Sequence, residues 1–389
     1  MRISKYMADE IFKKTDDNKK IVIIANFATD RVNGAYTVIE NIASHTNQLG
    51  YKCELWGLST EIDRNDYPFY VHFNDSLFSF KVSEGLRNKL TADRDSIICV
   101  NLHSVFTPIN IGISKVVKSL NIPLCVTPQG GYHDYSFQRN YLKKKLFLLL
   151  FEKSFLRRMN YFFIHGKQEA NFIGRYSSKP CYSLLNGFPE GRIKKSIYNH
   201  SDIGSSQKLK LLFLGRLDPL HKGLDMLIES ISHLGDIDVE LTLIGPRFTD
   251  PSYNYLQELI SKLNLTEKVK LKEPVYQQTE KEELYSTHHL FVHTSRWEGM
   301  PTGVIEALCY GMPVLVSEGT NLGDIVKKEQ FGLVVDELTP KGVAAAIADI
   351  SKNKEKLNEF SQNAYIKSPQ IFNWNKIAEQ YVEAVLLNK

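Results

Sequence analysis

The stretch 294–313, TSRWEGMPTGVIEALCYGMP, constrains the fold more than any other part of this chain. It follows an apolar run at 289–292 that is typical of a buried strand, and a polar loop leads from it into an apolar helix near Gly303. The first N–H groups of a helix lack internal partners, and the helix dipole favours negative charge there. The loop, its glycines and the start of the helix therefore predict an anion site.

Two carboxylates lie in this stretch, Glu298 in the loop and Glu306 in the predicted first helical turn. Carboxylates do not bind phosphate, so their natural partners beside a bound phosphate are the hydroxyl groups of a sugar or a ribose. A sugar nucleotide combines a phosphate, a sugar and a ribose. On this stretch alone a purely structural interpretation stays open, in which Glu306 caps the helix with Gly303 as a weak cap.

A second motif, KLLFLGRLDPLHKGLD at 210–225, places cations beside a predicted strand. The apolar run 211–214 predicts a buried parallel strand that ends at Gly215, so Arg216 would lie at its carboxyl end and Lys222 just before the next helix. Ligands of open α/β sheets bind outside the carboxyl ends of the strands. A forked guanidinium together with an ammonium suits a diphosphate.

The two motifs together resemble those of the family 4 (group 1) retaining glycosyltransferases. Arg216 and Lys222 match the basic pair that this family places on the donor diphosphate, and Glu298 and Glu306 match its Glu-x7-Glu pair. The resemblance covers most of the chain and is strongest over 208–335. It implies an α/β fold with two Rossmann-like domains that face each other across a cleft, the GT-B fold.

The resemblance also implies roles for individual residues. The expected catalytic residues are Arg216, Lys222 and Glu298. Further contacts to the donor are expected from Gly34, Gly215, Val275, Met300, Pro301, Thr302, Gly303, Val304 and Glu306. The candidates for the acceptor side are His103, Gln129, Gly130 and His133.

Three departures from the family pattern limit what can be carried over. Only Asn33 and Gly34 stand where the family has a glycine-rich loop, and Gln129 stands where it often has a histidine. Glu273 and Pro274 replace a usual glycine near the base, which leaves the base preference open, with a UDP-sugar as the expected donor.

The expected reaction transfers a hexose-type sugar from a nucleotide diphosphate donor to an acceptor hydroxyl with retention of anomeric configuration, in surface polysaccharide or glycoconjugate biosynthesis. Arg216 and Lys222 would neutralise the charge on the leaving diphosphate, so neither a metal nor another cofactor is expected. The DxD strings at 93–95 and 236–238 are interpreted as turns before strands. Two alternatives stay open: a non-catalytic subunit that binds sugar nucleotides, and a nucleotide-sugar epimerase of the same fold.

The length of 389 residues favours two domains. We predict a polar tail at 1–20, an acceptor-binding Rossmann-like domain at 21–190, a linker at 191–207 and a donor-binding Rossmann-like domain at 208–368. The segment 369–389 is an amphipathic helix, and the resemblance implies that it crosses back to the first domain.

Composition favours a cytoplasmic protein that does not bind nucleic acid, and the resemblance implies a nucleotide-sugar donor and a glycan or lipid-linked acceptor as its partners. The net charge is only +4, the five cysteines are scattered, and neither a signal peptide nor a long apolar run is visible. The basic, apolar segment 141–159 allows two interpretations, a helix at a membrane interface or a buried helix with snorkelling lysines. We favour burial of its apolar face, with the basic residues helping peripheral contact with the anionic inner leaflet of a membrane.

Overall fold

The strand order in the first sheet reverses at its centre, between β1 and β4. A computed structural model of the chain describes residues 18–26, 34–58, 69–138, 140–188 and 208–389. All neighbouring strands are parallel, in the order β3-β2-β1-β4-β5-β6-β7. The strands are β1 Lys20–Asn26, β2 Lys52–Leu58, β3 Tyr70–Phe73, β4 Ile97–His103, β5 Leu124–Thr127, β6 Tyr161–Ile164 and β7 Cys181–Ser183.

The helices of this unit cover a sheet whose central strands are almost wholly apolar, as expected for parallel strands buried on both faces. They are α1 Gly34–Gln48, α2 Glu84–Ala92, α3 Pro108–Ser119, α4 Asp134–Gln138, α5 Tyr141–Phe147, α6 Lys153–Arg158 and α7 Lys167–Gly174. A π-helical turn, Leu148–Glu152, joins α5 to α6, so the segment predicted as one helix contains a bulge.

The second sheet has six parallel strands in the order β10-β9-β8-β11-β12-β13, and its order reverses between β8 and β11. Its strands are β8 Leu209–Leu214, β9 Val239–Ile244, β10 Val269–Lys272, β11 Leu290–His293, β12 Val314–Val316 and β13 Gly332–Val334. Its helices are α8 Leu224–Ser232, α9 Asp250–Lys262, α10 Gln278–Thr287, α11 Thr302–Cys309, α12 Gly323–Glu329, α13 Pro340–Ser351 and α14 Lys354–Ile371.

The last helix, α15 (Trp374–Leu387), belongs to the first unit, which otherwise ends at Asn186; the second unit is Gly187–Asn373. Trp374 is buried, and its ring lies 6.1 Å from that of His45 on α1. The hydroxyl of Tyr381 accepts a hydrogen bond of 3.3 Å from Asn101 of β4. The boundary expected at 368 lies further along, because α14 continues to Ile371.

The prediction of two Rossmann-like α/β domains is confirmed. The acidic string at 93–95 lies beside the amino end of β1, where Asp93 accepts a 2.7 Å hydrogen bond from Lys20. Within this sheet that is the end opposite the acceptor-side candidates His103 and Gln129, which lie at or just after the carboxyl ends of β4 and β5. The proposed linker 191–207, the first 17 residues of the proposed tail and Asn33 lie outside the described residues.

Candidate functional site

The candidate site lies where β8 and β11 end, at the reversal of strand order in the second sheet. Ligands of open parallel sheets bind at such reversals. The loop after β8 and the loop after β11 are joined there by a hydrogen bond of 3.0 Å from Arg296 N to the carbonyl oxygen of His221. Gly223 has φ +66°, and a Cβ at this position would collide with the backbone oxygen of Thr294. A glycine is therefore needed for the two loops to approach.

Glu298 is the centre of the site, with 8% of its surface exposed. Its Oε1 accepts hydrogen bonds from the Lys222 ammonium and from Ser295 Oγ at 2.7 Å, and it lies 3.2 Å from His293 Nε2. Burial alone would raise the pKa of Glu298, but the charge of Lys222 and the contact with His293 outweigh it and hold the pKa well below its usual range. Glu298 is therefore an ionised carboxylate at neutral pH.

Arg216 lies at the open side of this site, with 46% of its side chain exposed. One guanidinium nitrogen is 3.1 Å from His221 Nδ1, and the guanidinium carbon lies 4.9 Å from the centre of the Phe248 ring. His221 also stacks on Trp297 at 4.5 Å, and its Nε2 lies 3.7 Å from Glu298 Oε2. His221 thus links the predicted Arg216 to the predicted Glu298.

Burial lowers the pKa of His221 to about 4, although the Glu298 carboxylate acts in the opposite direction. The imidazole is therefore neutral at physiological pH. The positive charge of the site accordingly comes from Arg216 and Lys222 and not from the histidine between them.

The start of α11 lies against the end of β8, as the anion-site prediction requires. The position that a Cβ would take on Gly303 is 3.2 Å from the backbone oxygen of Leu214. Asn321 Nδ2 donates to the carbonyl oxygens of Glu298 at 2.9 Å and of Gly299 at 2.7 Å, which fixes the loop that leads into the helix. Four more residues predicted to contact the sugar donor lie at the start of α11 or just before it. Met300, Pro301 and Val304 are buried, and Thr302 is half-buried.

Glu306 lies in the second turn of α11, so its predicted place in the first turn was wrong. The helix begins at Thr302, with Pro301 and not Gly303 as its cap. Lys281 of α10 is 3.3 Å from one carboxylate oxygen of Glu306 and 3.4 Å from the other. The half-buried Val275 lies between β10 and α10, on the connection that leads to Lys281.

The candidates for the acceptor side follow β4 and β5 in the first unit. His103 ends β4 and is buried, and its Nδ1 lies 2.9 Å from Gln129 Nε2. Gln129 has a left-handed backbone (φ +52°), and the amide of Gly130 donates a 2.6 Å hydrogen bond to Glu169. Burial lowers the pKa of His103 to about 3, so this imidazole is neutral.

His133 and Gly34 complete the candidates of the first unit. His133 is buried, its Nδ1 accepts a 3.3 Å hydrogen bond from Tyr135 N, and its buried Nε2 has no hydrogen-bond partner among the described residues. Gly34 is the first residue of α1. Among the acceptor-side candidates, the structure brings His103 and Gln129 into contact.

Sequence reasoning missed five residues that hold the site together. His221 lies inside the motif GRLDPLHKG, and Ser295 stands three residues before Glu298. No sequence pattern, however, indicates that either residue contacts Arg216 or Glu298. The contacts of His293, Asn321 and Lys281 are made only by folding. In the described part of the chain no group of three or more His, Cys, Asp or Glu side chains is placed to hold a metal ion.

Residues 199–367 match the family model described as glycosyl transferases group 1. The matched residues lie within the second unit, Gly187–Asn373. Among curated relatives, the chain is 27% identical over 182 residues to mannosylfructose-phosphate synthase of Agrobacterium fabrum, covering 45% of this chain and 40% of the relative. It is 26% identical over 297 residues to protein CapJ of Staphylococcus aureus, covering 70% and 71%. The chain spans about half the length of most curated relatives that it matches.

Solved structures extend the likeness of fold to 94% of the chain. Sucrose-phosphate synthase from Thermosynechococcus elongatus aligns with a TM-score of 0.71 at 16% identity, covering 94% of this chain and 98% of the other. Anabaena HepE, in complex with UDP and glucose, aligns with a TM-score of 0.71 at 16% identity, covering 94% and 99%. At this identity the likeness shows the fold, two Rossmann-like α/β domains, and nothing further.

Proposed function

We propose that the protein transfers a sugar from a nucleotide diphosphate donor, a UDP-sugar, to an acceptor hydroxyl with retention of anomeric configuration. The observation that carries this proposal is the arrangement of Arg216, Lys222 and Glu298 beside the start of α11, where the strand order reverses. It combines two cations and the start of a helix for a diphosphate with an ionised carboxylate for hydroxyls.

The proposed chemistry breaks the bond between the anomeric carbon and the phosphate oxygen. The acceptor oxygen bonds to the same face of that carbon, and the acceptor proton passes to the leaving phosphate. Arg216, Lys222 and the first amides of α11 would stabilise the charge that develops on the diphosphate. Glu298 would accept hydrogen bonds from the donor sugar, and Glu306, oriented by Lys281, would accept them from the ribose.

We choose UDP as the nucleotide, and surface polysaccharide or glycoconjugate synthesis as the pathway, by comparison with solved structures of similar fold. Anabaena HepE has been solved with UDP and with UDP-glucose, and another structure of similar fold is WaaG, a glycosyltransferase of lipopolysaccharide biosynthesis. We propose a corresponding role in surface polysaccharide or glycoconjugate biosynthesis, with a glycan or lipid-linked acceptor.

Metal removal is expected to leave the activity unchanged. Arg216, Lys222 and the start of α11 supply fixed positive charge where a divalent ion would otherwise bind the diphosphate. Turnover should therefore be the same in excess EDTA and in excess Mg²⁺. A loss of about tenfold or more in EDTA, restored by Mg²⁺, would overturn the proposal of metal-independent transfer.

Product analysis tests the proposed reaction against its two alternatives. The protein is incubated with labelled UDP-sugars and an extract that contains glycan and lipid-linked acceptors, with the Glu298→Ala variant as background. We expect release of UDP together with a labelled product whose new glycosidic bond has the same anomeric configuration as the donor. Interconversion of the UDP-sugar without an acceptor would favour an epimerase, and binding without any turnover would favour an accessory subunit; either result would overturn the proposal.

A further inference from the structure

We infer that the helical segment from α5 to α6 docks the protein on an anionic lipid surface. Four leucines are exposed along it: Leu142 by 79%, Leu146 by 58%, Leu149 by 54% and Leu150 by 60%. Leu146 lies four residues after Leu142, and Leu149 and Leu150 follow Leu146 by three and four residues, so all four are neighbours on one side of the helical segment. The expected burial of an apolar face is met by Leu148, Phe155 and Leu156, whereas these four leucines stay exposed.

Cations surround these leucines. Lys143, Lys145 and Arg157 are exposed and Lys153 is half-exposed; with the four leucines, they make up what we call the α5–α6 surface. The single acidic residue of the segment, Glu152, is fully buried, where Tyr132 donates a 2.6 Å hydrogen bond to it. The α5–α6 surface therefore carries apolar and positive groups and no exposed carboxylate, which is the composition of a helix that lies in an anionic bilayer interface.

A neighbouring loop adds aromatic side chains to the same surface. The ring of Phe80 lies 4.7 Å from that of Phe151 and 6.2 Å from that of Phe147, while 42% of Phe80 stays exposed. Phe78, two residues before it, is 89% exposed. Contiguous exposed apolar groups of this kind mark an interaction surface, and aromatic rings are favoured at the level of lipid headgroups.

A cavity of about 310 Å³ opens beside α5, and we place the headgroup of an anionic lipid there. Tyr141, Lys145, Arg175 and Tyr176 line it together with Asp134, so it offers two cations, two phenol rings and one carboxylate. Lys145 lies 5.4 Å from the centre of the Tyr141 ring, and Arg175 makes an ion pair of 3.7 Å with Asp134. The phosphate of a lipid inserted beside the leucines would meet Lys145 and Arg175.

None of the helices in the described residues combines the length and hydropathy needed to span a bilayer. The inferred contact is therefore peripheral and electrostatically assisted. It depends on the charge of the lipid and weakens as salt screens the cations. The inference does not rest on the proposed sugar transfer, because it concerns binding alone.

Cosedimentation with vesicles tests the α5–α6 surface in the full chain. We expect binding to vesicles of equal parts phosphatidylglycerol and phosphatidylcholine, and little binding to phosphatidylcholine alone. Leu146→Gln combined with Leu150→Gln should lower the partition coefficient at least about tenfold, because it removes apolar area that the bilayer would bury. Lys143→Gln combined with Lys145→Gln should lower it at least about tenfold by removing two cations.

Matched controls replace equally exposed residues elsewhere. Ile366→Gln with Leu387→Gln removes two apolar side chains exposed by 61% and 51%, and Lys262→Gln with Lys341→Gln removes two exposed cations. Both pairs should bind vesicles like the wild type, and all variants should keep the wild-type melting temperature.

Three results would overturn the inference. The first is a wild-type protein that stays in solution with the anionic vesicles, and the second is a leucine variant that binds them as well as the wild type. The third is a wild-type dimer in light scattering that Leu146→Gln with Leu150→Gln converts to a monomer without any vesicle binding. This third result would assign the surface to a second copy of the chain.

Discussion

Replacing Lys222 by alanine is expected to lower turnover at least about 100-fold and the melting temperature by roughly 5–10 °C. Lys222 would stabilise the leaving diphosphate, and it is the cation bonded to the buried Glu298. Without it, Glu298 keeps Ser295 and His293 as neighbours, but its charge stays buried without a compensating cation. A buried ion pair that loses one partner costs about 3–5 kcal/mol. Steady-state kinetics and calorimetry measure the two effects.

A second substitution separates the two roles of Lys222. In Lys222→Ala combined with Glu298→Gln, no charge is left unpaired, and the glutamine amide can still accept a hydrogen bond from Ser295. The melting temperature should recover most of its loss, while turnover stays at least about 100-fold low. A double variant that is as unstable as Lys222→Ala would show that the ion pair does not stabilise this site.

Arg216→Ala should lower turnover at least about 100-fold with almost no change in melting temperature. Nearly half of the Arg216 side chain is exposed, and its contacts with His221 and Phe248 lie at the surface, so its removal costs little stability. Its forked guanidinium would contact the diphosphate in two places, which the single ammonium of Arg216→Lys cannot reproduce. Arg216→Lys should therefore recover only a part of the lost turnover.

Arg247→Ala is the matched control for this experiment. Arg247 follows β9, the strand beside β8, and 45% of its side chain is exposed, compared with 46% for Arg216. It is bonded to Glu273 at 3.2 Å and not to the centre of the site. Its replacement should leave turnover within about threefold of the wild type. Near-normal turnover in Arg216→Ala, or equal losses in both variants, would refute the role assigned to Arg216.

The sequence was most informative where strands are buried on both faces. The run predicted as a strand at 211–214 lies within β8, and the run at 289–292 agrees with β11 to within one residue. Central parallel strands are continuous apolar runs, so local composition is enough to find them. The edge strand Tyr70–Phe73 was missed because it is short and only Phe73 in it is fully buried. Its conformation depends on pairing with β2.

The site shows the same division between local and long-range information. Arg216, Lys222 and Glu298 were predicted from the two motifs, and folding brings Lys222 and Glu298 into contact across 76 positions of the sequence. The linking role of His221 and the pairing of Lys281 with Glu306 depend on such long-range contacts, which no pattern in one sequence specifies. The place of Glu306 was wrong by one turn, because the helix begins at Thr302 after a proline cap.

Nucleotide binding tests the central claim most directly. The melting temperatures of the wild type and of Arg216→Ala are measured with a panel of nucleoside diphosphates and sugar nucleotides. A ligand at about 100 times its Kd stabilises the folded state by about 2.7 kcal/mol. We predict that UDP and a UDP-sugar raise the wild-type melting temperature by several degrees, and that the shift vanishes in Arg216→Ala. No shift of the wild type with any nucleotide, or an equal shift in Arg216→Ala, would contradict a donor site at the junction of β8, β11 and α11.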